Sequence, residues 1–394
     1  MASVCFYFQM HQPYRLRRYS VFDTEPAYFD TERNATILRE IAQRCYLPAT
    51  EHLLQLIQRH DGAFRVSFSI TGVLADQLRQ HCPQCLKTLQ KIAETGCAEF
   101  CNETYHHSLA FLYSRDEFTA QLDLHAELME ELFGHRPRVF RNTELIYNND
   151  VAFFIASLGR YTGALAEGAD AVLAGRTPSH LYTPPHVAGM KLLLKHYRLS
   201  DDIAFRFSNR AWPEWPLTAD KYADWIVKAI HDDDAAVINL FMDFETFGEH
   251  QWATTGIFDF LDALPGRLLQ RNGLGFATVG EAIASHEPAG EYDVPHMISW
   301  ADTERDLSAW LGNAMQSNAL HELYKLEQPV KAADDPALLE DWRRLGTSDH
   351  FYYMCTKYFA DGDVHKYFNP YESPYDSYIN FMNVLDNLRS RAGA

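Results

Sequence analysis

Residues 237–250 read Val-Ile-Asn-Leu-Phe-Met-Asp-Phe-Glu-Thr-Phe-Gly-Glu-His. The first six are apolar apart from Asn239 and rich in β-formers, the pattern of a strand buried on both faces, as in a parallel sheet. A dense polar block follows at once, opening with Asp243 and continuing through Glu245, Glu249 and His250. The same grammar recurs through the chain. Strand-like runs at 4–8, 65–70, 98–101, 138–141, 161–166 and 191–195 precede the one at 237–242, with a weaker eighth at 275–278. Stretches of helical period separate them, at 51–59, 85–95, 115–133, 150–158, 220–231 and 257–264. Strand and helix in such alternation imply parallel strands joined by crossovers. Seven or eight units predict an α/β fold built on a closed or nearly closed barrel.

The pattern changes near residue 285. Residues 285–296 contain two prolines and a glycine and read as a linker or loop. Helical periodicity then returns at 302–326, 336–345, 348–359 and 374–391, and 349–359 and 371–378 are crowded with Tyr and Phe. The expected organisation is a barrel over 1–285 and a helical region over 286–394 packed against it.

The chain has 394 residues, of which 47% are hydrophobic and 22% charged, ample for a large core. Its formal net charge of −18 provides no electrostatic footprint for nucleic acid and none for an anionic membrane. No stretch of about 18 apolar residues suggests a membrane span. Neither a Walker loop nor a Gly-x-Gly-x-x-Gly fingerprint occurs, so nucleotide binding has no motif behind it. The N-terminus reads as a first strand and not as a signal peptide. With an odd count of 7 cysteines, that predicts a reduced, cytoplasmic chain. Aromatic residues make up 13% of the sequence. Many are Tyr and Trp, whose rings serve either a core or a site that stacks sugars.

Barrel active sites lie at the C-terminal ends of the strands. Applied here, that rule collects His11, Gln12 and Pro13 after the first strand, and Glu103, His106 and His107 after the third. Arg141 to Glu144 follow the fourth, Glu167 the fifth, and Asp243, Glu245, Glu249 and His250 the seventh. A rim of carboxylates and imidazoles suits glycoside hydrolysis, in which one carboxylate attacks or activates water and another protonates the leaving oxygen. It also suits metal-assisted hydrolysis, but the His-x-x-x-His spacing of a helical zinc site is missing. Cys82, Cys85, Cys97 and Cys101 approximate a zinc ribbon, with an imperfect second pair, and read as ordinary thiols. Asp232 to Asp234 read as a solvated turn. Residues 209–216, with Trp212, Trp215 and two prolines, read either as a stacking platform or as a capped hydrophobic corner.

Three rim motifs carry a resemblance: His11-Gln12-Pro13, Asn142-Thr143-Glu144, and the block Asp243-Phe244-Glu245-Thr246-Phe247-Gly248-Glu249-His250. Together with Tyr105-His106-His107-Ser108 and Ser299-Trp300-Ala301-Asp302, they resemble glycoside hydrolase family 57, the α-amylase and glucanotransferase family built on an incomplete (β/α)7 barrel. The likeness extends over nearly the whole chain. It implies a retaining enzyme with Glu144 as nucleophile and Asp243 as general acid/base. His11, His107, Trp300 and Asp302 would line the sugar site, supported by Glu245 and His250. Retention asks for catalytic carboxyls about 5–5.5 Å apart. The second motif of many members has Gly near its histidine, where this chain has Tyr105-His106-His107; of the two histidines, His107 is expected to face the sugar. The implied activity is cleavage of α-1,4-glucosidic bonds in malto-oligosaccharides, starch or glycogen, with no metal and no organic cofactor. A 4-α-glucanotransferase using the same pair is the alternative. A non-catalytic glucan-binding protein is the alternative of another class, and a metal-dependent deacetylase on a related barrel a more remote one.

Overall fold

A computed structural model describes residues 2–359 and 369–394, so 360–368 of the expected helical region lie outside the described residues. Ten strands make up two five-stranded sheets: β1 (Ala2–Met10), β2 (Val66–Ile70), β3 (Ala98–Phe100), β4 (Val139–Arg141), β5 (Gly163–Glu167), β6 (Leu181–Thr183), β7 (Lys191–Lys195), β8 (Val237–Asp243), β9 (Leu274–Phe276) and β10 (Pro288–Glu291). One sheet runs β3-β2-β1-β8, all parallel, with β9 paired to the first residues of β1; the other runs β10-β6-β7-β5-β4. Among the described strands, the β6–β7 ladder is the antiparallel one and the other ladders are parallel.

The two sheets meet at two seams. At one, Asn102 bridges to Phe140, donating its N–H to the Val139 carbonyl at 2.9 Å. At the other, the His196 N–H reaches the Asn239 carbonyl at 2.9 Å, and the Asn239 side chain returns a bond to the Leu194 carbonyl. Seven parallel strands thus follow one another around the barrel, in two ladders stitched at single points. This explains the lone polar residue in the quoted strand: Asn239 is a seam, not a break in the pattern.

Burial on both faces accounts for the unbroken apolar runs. Along β1, Val4, Phe6, Phe8 and Met10 pack into the layer beneath the outer helices. Cys5 and Tyr7 point the other way, against Val139, Leu165, Leu193 and Phe241 in the barrel interior. Each such side chain removed from water stabilises the fold by roughly 1.5–3 kcal/mol. The helix Arg115–Phe133 starts where the Ser114 hydroxyl accepts from the Glu117 N–H, and stops at Gly134, whose φ of 82° ends it in the left-handed region.

Several expectations are corrected. The weak eighth strand falls at Leu274–Phe276 and adds to β1 instead of extending the barrel ring. The stretch read as a linker contains β10, which pairs with β6; its proline and glycine hid a short edge strand. Strand β6 lies in a stretch that showed no run of strand length. The helical stretch at 302–326 resolves into Ser308–Leu311 and Ala314–Lys325, because Asn313 and Gln316 form a capping box that restarts the helix.

The C-terminal helices build their own core around Trp310, Leu320, Trp342, Phe351 and Phe381. Leu16, Tyr19 and Tyr28, from the long connection after β1, complete it. Tyr19 donates its backbone N–H to Asn380 at 2.6 Å, and the Tyr28 hydroxyl bonds Asn387 at 2.6 Å. The helical region is therefore fastened to the β1 connection, at the end of the barrel where the rim residues emerge.

Candidate active site

At that end lies a cavity of about 510 Å³, within the range of small-ligand sites, about 300–1,000 Å³. Glu144, Asp243, His11, His107, Trp300, Asp302, Glu245 and His250 all line it. His106 does not: its Nε2 turns to Glu340 at 3.2 Å, leaving His107 to face the cavity.

Glu144 follows β4 in a tight turn. Asn142 holds the turn at both ends, its Oδ1 accepting from the Thr143 N–H and its Nδ2 donating to the Ile146 carbonyl at 2.9 Å. Within it Glu144 has φ 58° and Leu145 φ 51°. Non-glycine residues seldom adopt such angles, which cost of order 1 kcal/mol or more each. The turn is locked from outside by the Trp300 N–H, which donates to the Glu144 carbonyl at 3.1 Å. Strain maintained in this way concentrates at functional sites.

The Glu144 carboxylate receives two donors. His107 Nε2 lies 3.1 Å from Oε1, and Trp300 Nε1 donates to Oε2 at 2.7 Å. Burial opposes its ionisation, but the His107 bond and charge, the Arg141 charge and the Trp300 bond together hold its pKa below the ordinary glutamate value. His107 Nδ1 is 3.1 Å from Glu103. Burial disfavours an imidazolium, yet bonds to two carboxylates outweigh it and push the His107 pKa up to about 9. Glu103 is itself buried, and His107 and Arg141 pull it down to about 2.

His11 stacks on His107 with ring centroids 4.1 Å apart. Burial and the His107 charge lower its pKa, so one ring of the stack is charged and the other neutral. Asp349 accepts from His11 Nε2 at 2.9 Å, which leaves Nδ1 to accept from the Thr71 hydroxyl at 2.9 Å.

Asp243, at the end of β8, has a different environment. Burial first, and repulsion from Glu144 second, push its pKa up to about 6. Glu245 is raised to about 8 by burial and by Asp243, while its Oε1 accepts from the Tyr46 hydroxyl and, at 3.3 Å, from the His11 N–H. Burial lowers His250 to about 4, so it is neutral. Two cations lie near the Trp300 ring: the Arg141 guanidinium 5.0 Å and Lys195 Nζ 5.4 Å from its centroid.

Three rim carboxylates lie behind the cavity wall. Glu103 braces His107 against Arg141. Glu167 is buried between Lys195 at 3.7 Å and Arg305 at 3.8 Å, and Glu249 pairs with Arg44 at 2.8 Å. Conversely, sequence reading missed Asp349, Tyr352 and Tyr353, which the helical region contributes to the lining, and Lys195, which also lines the cavity. Lys195 ends β7, so the strand-end rule pointed to it; Asp349 had no comparable signal. The four candidate zinc-ribbon cysteines do not converge: Cys82, Cys85 and Cys97 lie in the layer beneath the helices and Cys101 in the barrel interior. Among the described residues, no group of three or more His, Cys, Asp or Glu is arranged to hold a metal ion, and no helix is long and apolar enough to cross a membrane.

Residues 5–295 match the family model described as glycosyl hydrolase family 57. This chain belongs to glycosyl hydrolase family 57. Its membership places it among the glycosidases. A Methanocaldococcus jannaschii protein named "Putative alpha-amylase" is 40% identical over 396 residues, covering 97% of this chain and 83% of that protein. The family fold is shared with the branching enzyme of Pyrococcus horikoshii, at a TM-score of 0.67 and 14% identity over 100% of this chain and 94% of that one. It is also shared with the 4-alpha-glucanotransferase of Thermococcus litoralis, at a TM-score of 0.61 and 15% identity over 93% of this chain; there this chain spans only 54% of the enzyme's length.

Proposed function

We propose that this family 57 chain is a retaining glycosidase that cleaves α-1,4-glucosidic bonds of malto-oligosaccharides, starch or glycogen. Glu144 attacks the anomeric carbon, forming a glycosyl ester, while Asp243 gives its proton to the departing glycosidic oxygen. Asp243, now a carboxylate, takes a proton from water; that water attacks the same carbon and the Glu144 carboxylate leaves. His11, His107, Trp300 and Asp302 then contact the sugar at the scissile bond, with Glu245 and His250 behind them.

The observation that carries this reading is that two carboxyls lining one cavity have their pKa values displaced in opposite directions. Glu144 is held ionised by donors, as a nucleophile requires, and Asp243 is raised to about 6, as an acid requires. The glucan as substrate is supported by the name of the 40% identical relative. The chemistry itself calls on no metal or organic cofactor. The seven free, buried cysteines fit a reducing compartment, and we place the enzyme in the cytoplasm.

A 4-α-glucanotransferase is the second reading. It is favoured by Phe205 and Tyr352, which also line the cavity and give an acceptor sugar rings to stack on in competition with water. Incubation with maltoheptaose and chromatography of the products separates the two. Only shorter products are expected; products both shorter and longer would establish transfer. Glu144→Gln should lose at least ~10³-fold in kcat with an unchanged circular dichroism spectrum. Undiminished turnover in that variant would overturn the assignment, and an inert wild type would favour a glucan-binding protein.

A further inference from the structure

The loop at 209–216 divides its tryptophans between the two roles read from the sequence. Trp212 is half-buried and packs edge-on against Trp225, with centroids 5.9 Å apart; it is the corner. Trp215 is 42% exposed. It lines a second groove, of about 320 Å³, together with Phe207, Asp220, Thr255, Asp259 and Arg267.

The topology puts this groove on the catalytic face. The helix Ala219–Asp233 leads directly into β8, so its first turn lies at the end of the barrel where β8 delivers Asp243. The helix Ile257–Leu269 leaves from that same end. Both first turns contribute to the groove, through Asp220 and Asp259. One short segment separates the groove from the catalytic cavity: Ala204 and Phe205 line the cavity, and Phe207 lines the groove. Phe205 is 58% exposed, an apolar ring on the ridge between them.

The chemistry of the groove fits a sugar. A pyranose ring offers an apolar C–H face and a rim of hydroxyls, which match an exposed indole flanked by carboxylates and a guanidinium. The groove's charges are mixed and partly neutralised. Asp220 pairs with Arg267 at 3.1 Å, and the Arg210 guanidinium lies 5.6 Å from the Trp215 centroid. Nothing there selects a strongly charged ligand, and the chain's net charge of −18 repels polyanions.

We infer that this groove is a second α-glucan-binding site, holding a remote stretch of a long chain while the catalytic cavity holds the stretch being cleaved. The inference rests on the glucan reading above. Engagement of one polymer at two places raises the effective concentration of substrate at the cavity, an advantage closed to oligosaccharides too short to reach both.

The test compares amylopectin with maltotetraose for the full chain and for Trp215→Ala, Trp215→Phe and Asp259→Asn. Trp215→Ala should raise KM for amylopectin about fivefold or more and leave maltotetraose turnover unchanged, which also reports that it folds. Trp215→Phe keeps a ring and should retain most of the effect; Asp259→Asn, on an exposed position, should lose part of it. In native gels containing amylopectin, the Glu144→Gln protein should be retarded, and the Glu144→Gln/Trp215→Ala double variant much less. Equal KM and equal retardation, with an active wild type, would overturn the groove while sparing the glucan reading. A Trp215→Ala variant altered only in oligomeric state would mean that the groove seats a second copy, and would overturn it too. A wild type that neither cleaves nor binds amylopectin would overturn both.

Discussion

The two walls of the candidate active-site cavity treat the same functional group in opposite ways. On the wall built from β3 and β4, Glu103 is pulled down to about 2 and Glu144 is held below its ordinary value. On the wall built from β8, Asp243 is pushed up to about 6 and Glu245 to about 8. All four are buried, and burial by itself raises every one of them. What differs is their company. The carboxylates of the first wall are hydrogen-bonded by His107 and, for Glu144, by the Trp300 N–H, with the Arg141 charge beside them; on the second, Asp243 is repelled by Glu144 and Glu245 by Asp243, and the same cations act on Asp243 only as weaker causes. Burial acts in the same direction on all four, so the opposite directions of their shifts follow from the hydrogen bonds, cations and carboxylates beside each.

Loss of Asp243, the proposed proton donor, should break the comparison most severely. Asp243→Asn is expected to lower kcat on maltoheptaose by about 10²–10⁴-fold. An aryl α-glucoside with a good leaving group should suffer much less in the first step. For the wild type, kcat/KM should rise as Glu144 ionises and fall again as pH climbs through about 6, where Asp243 gives up its proton. A basic limb that stays at the same pH in the asparagine variant would detach that limb from Asp243.

Removal of the cation from the first wall should come next. His107→Gln is expected to cost on the order of 10²-fold in kcat through misplacement of Glu144. It should also move the acidic limb to higher pH, because the charge that keeps Glu144 ionised is gone. An unmoved limb would assign that task to Arg141.

Asp349→Asn probes the tie between the helical region and this wall. Burial opposes the Asp349 charge, but the His11 bond and neighbouring imidazoles depress its pKa well below the usual aspartate range. A depressed pKa stabilises the fold above the unfolded value near 4, and that stabilisation is lost as pH falls through the folded value. Denaturant titration should show a loss of about 1–3 kcal/mol at pH 7 that shrinks below about pH 4. A pH-independent difference would make the contact one of shape alone.

The smallest effect is expected at Glu245→Gln. At pH 6 a carboxyl with a pKa near 8 is already neutral. A glutamine oxygen can accept from Tyr46 and His11 as the native oxygen does, so kcat should change roughly twofold or less. A large loss would show that Glu245 works as an anion.

The contrast between the walls also marks how far the sequence could be read. Strand-end positions and short motifs suffice to bring Glu144, Asp243, His11 and His107 to one cavity, because a parallel barrel gathers its strand ends whatever the loops do. The direction of a side chain within an irregular loop is not periodic. Glu103 and Glu167 read from the sequence as structural partners at the rim and Glu249 as one more rim carboxylate; the fold turns all three behind the wall, a direction no periodicity could supply. Asp349 and Tyr352 sit on a short helix, and no periodicity says what a helix end faces across a domain. The strands β6 and β10 were hidden for another reason: β6 has only three residues, Leu181–Thr183, and β10 is a four-residue edge strand carrying Pro288 and Gly290, so neither has the apolar run that burial on both faces writes into β1 and β8.

The Asp349–His11 bond ties together two residues 338 positions apart. During synthesis at roughly 5–20 residues per second, His11 leaves the ribosome tens of seconds before its partner exists. The barrel strands can pair in that interval, and Thr71, Glu103 and Glu144 can already hold the stacked imidazoles, but the bond from His11 Nε2 to Asp349 forms only when the helical region arrives. Completion of the His11 environment is thus a late event in the life of each molecule, and a nascent or prematurely released chain has Glu144 and His107 in place beside a His11 that lacks one of its partners.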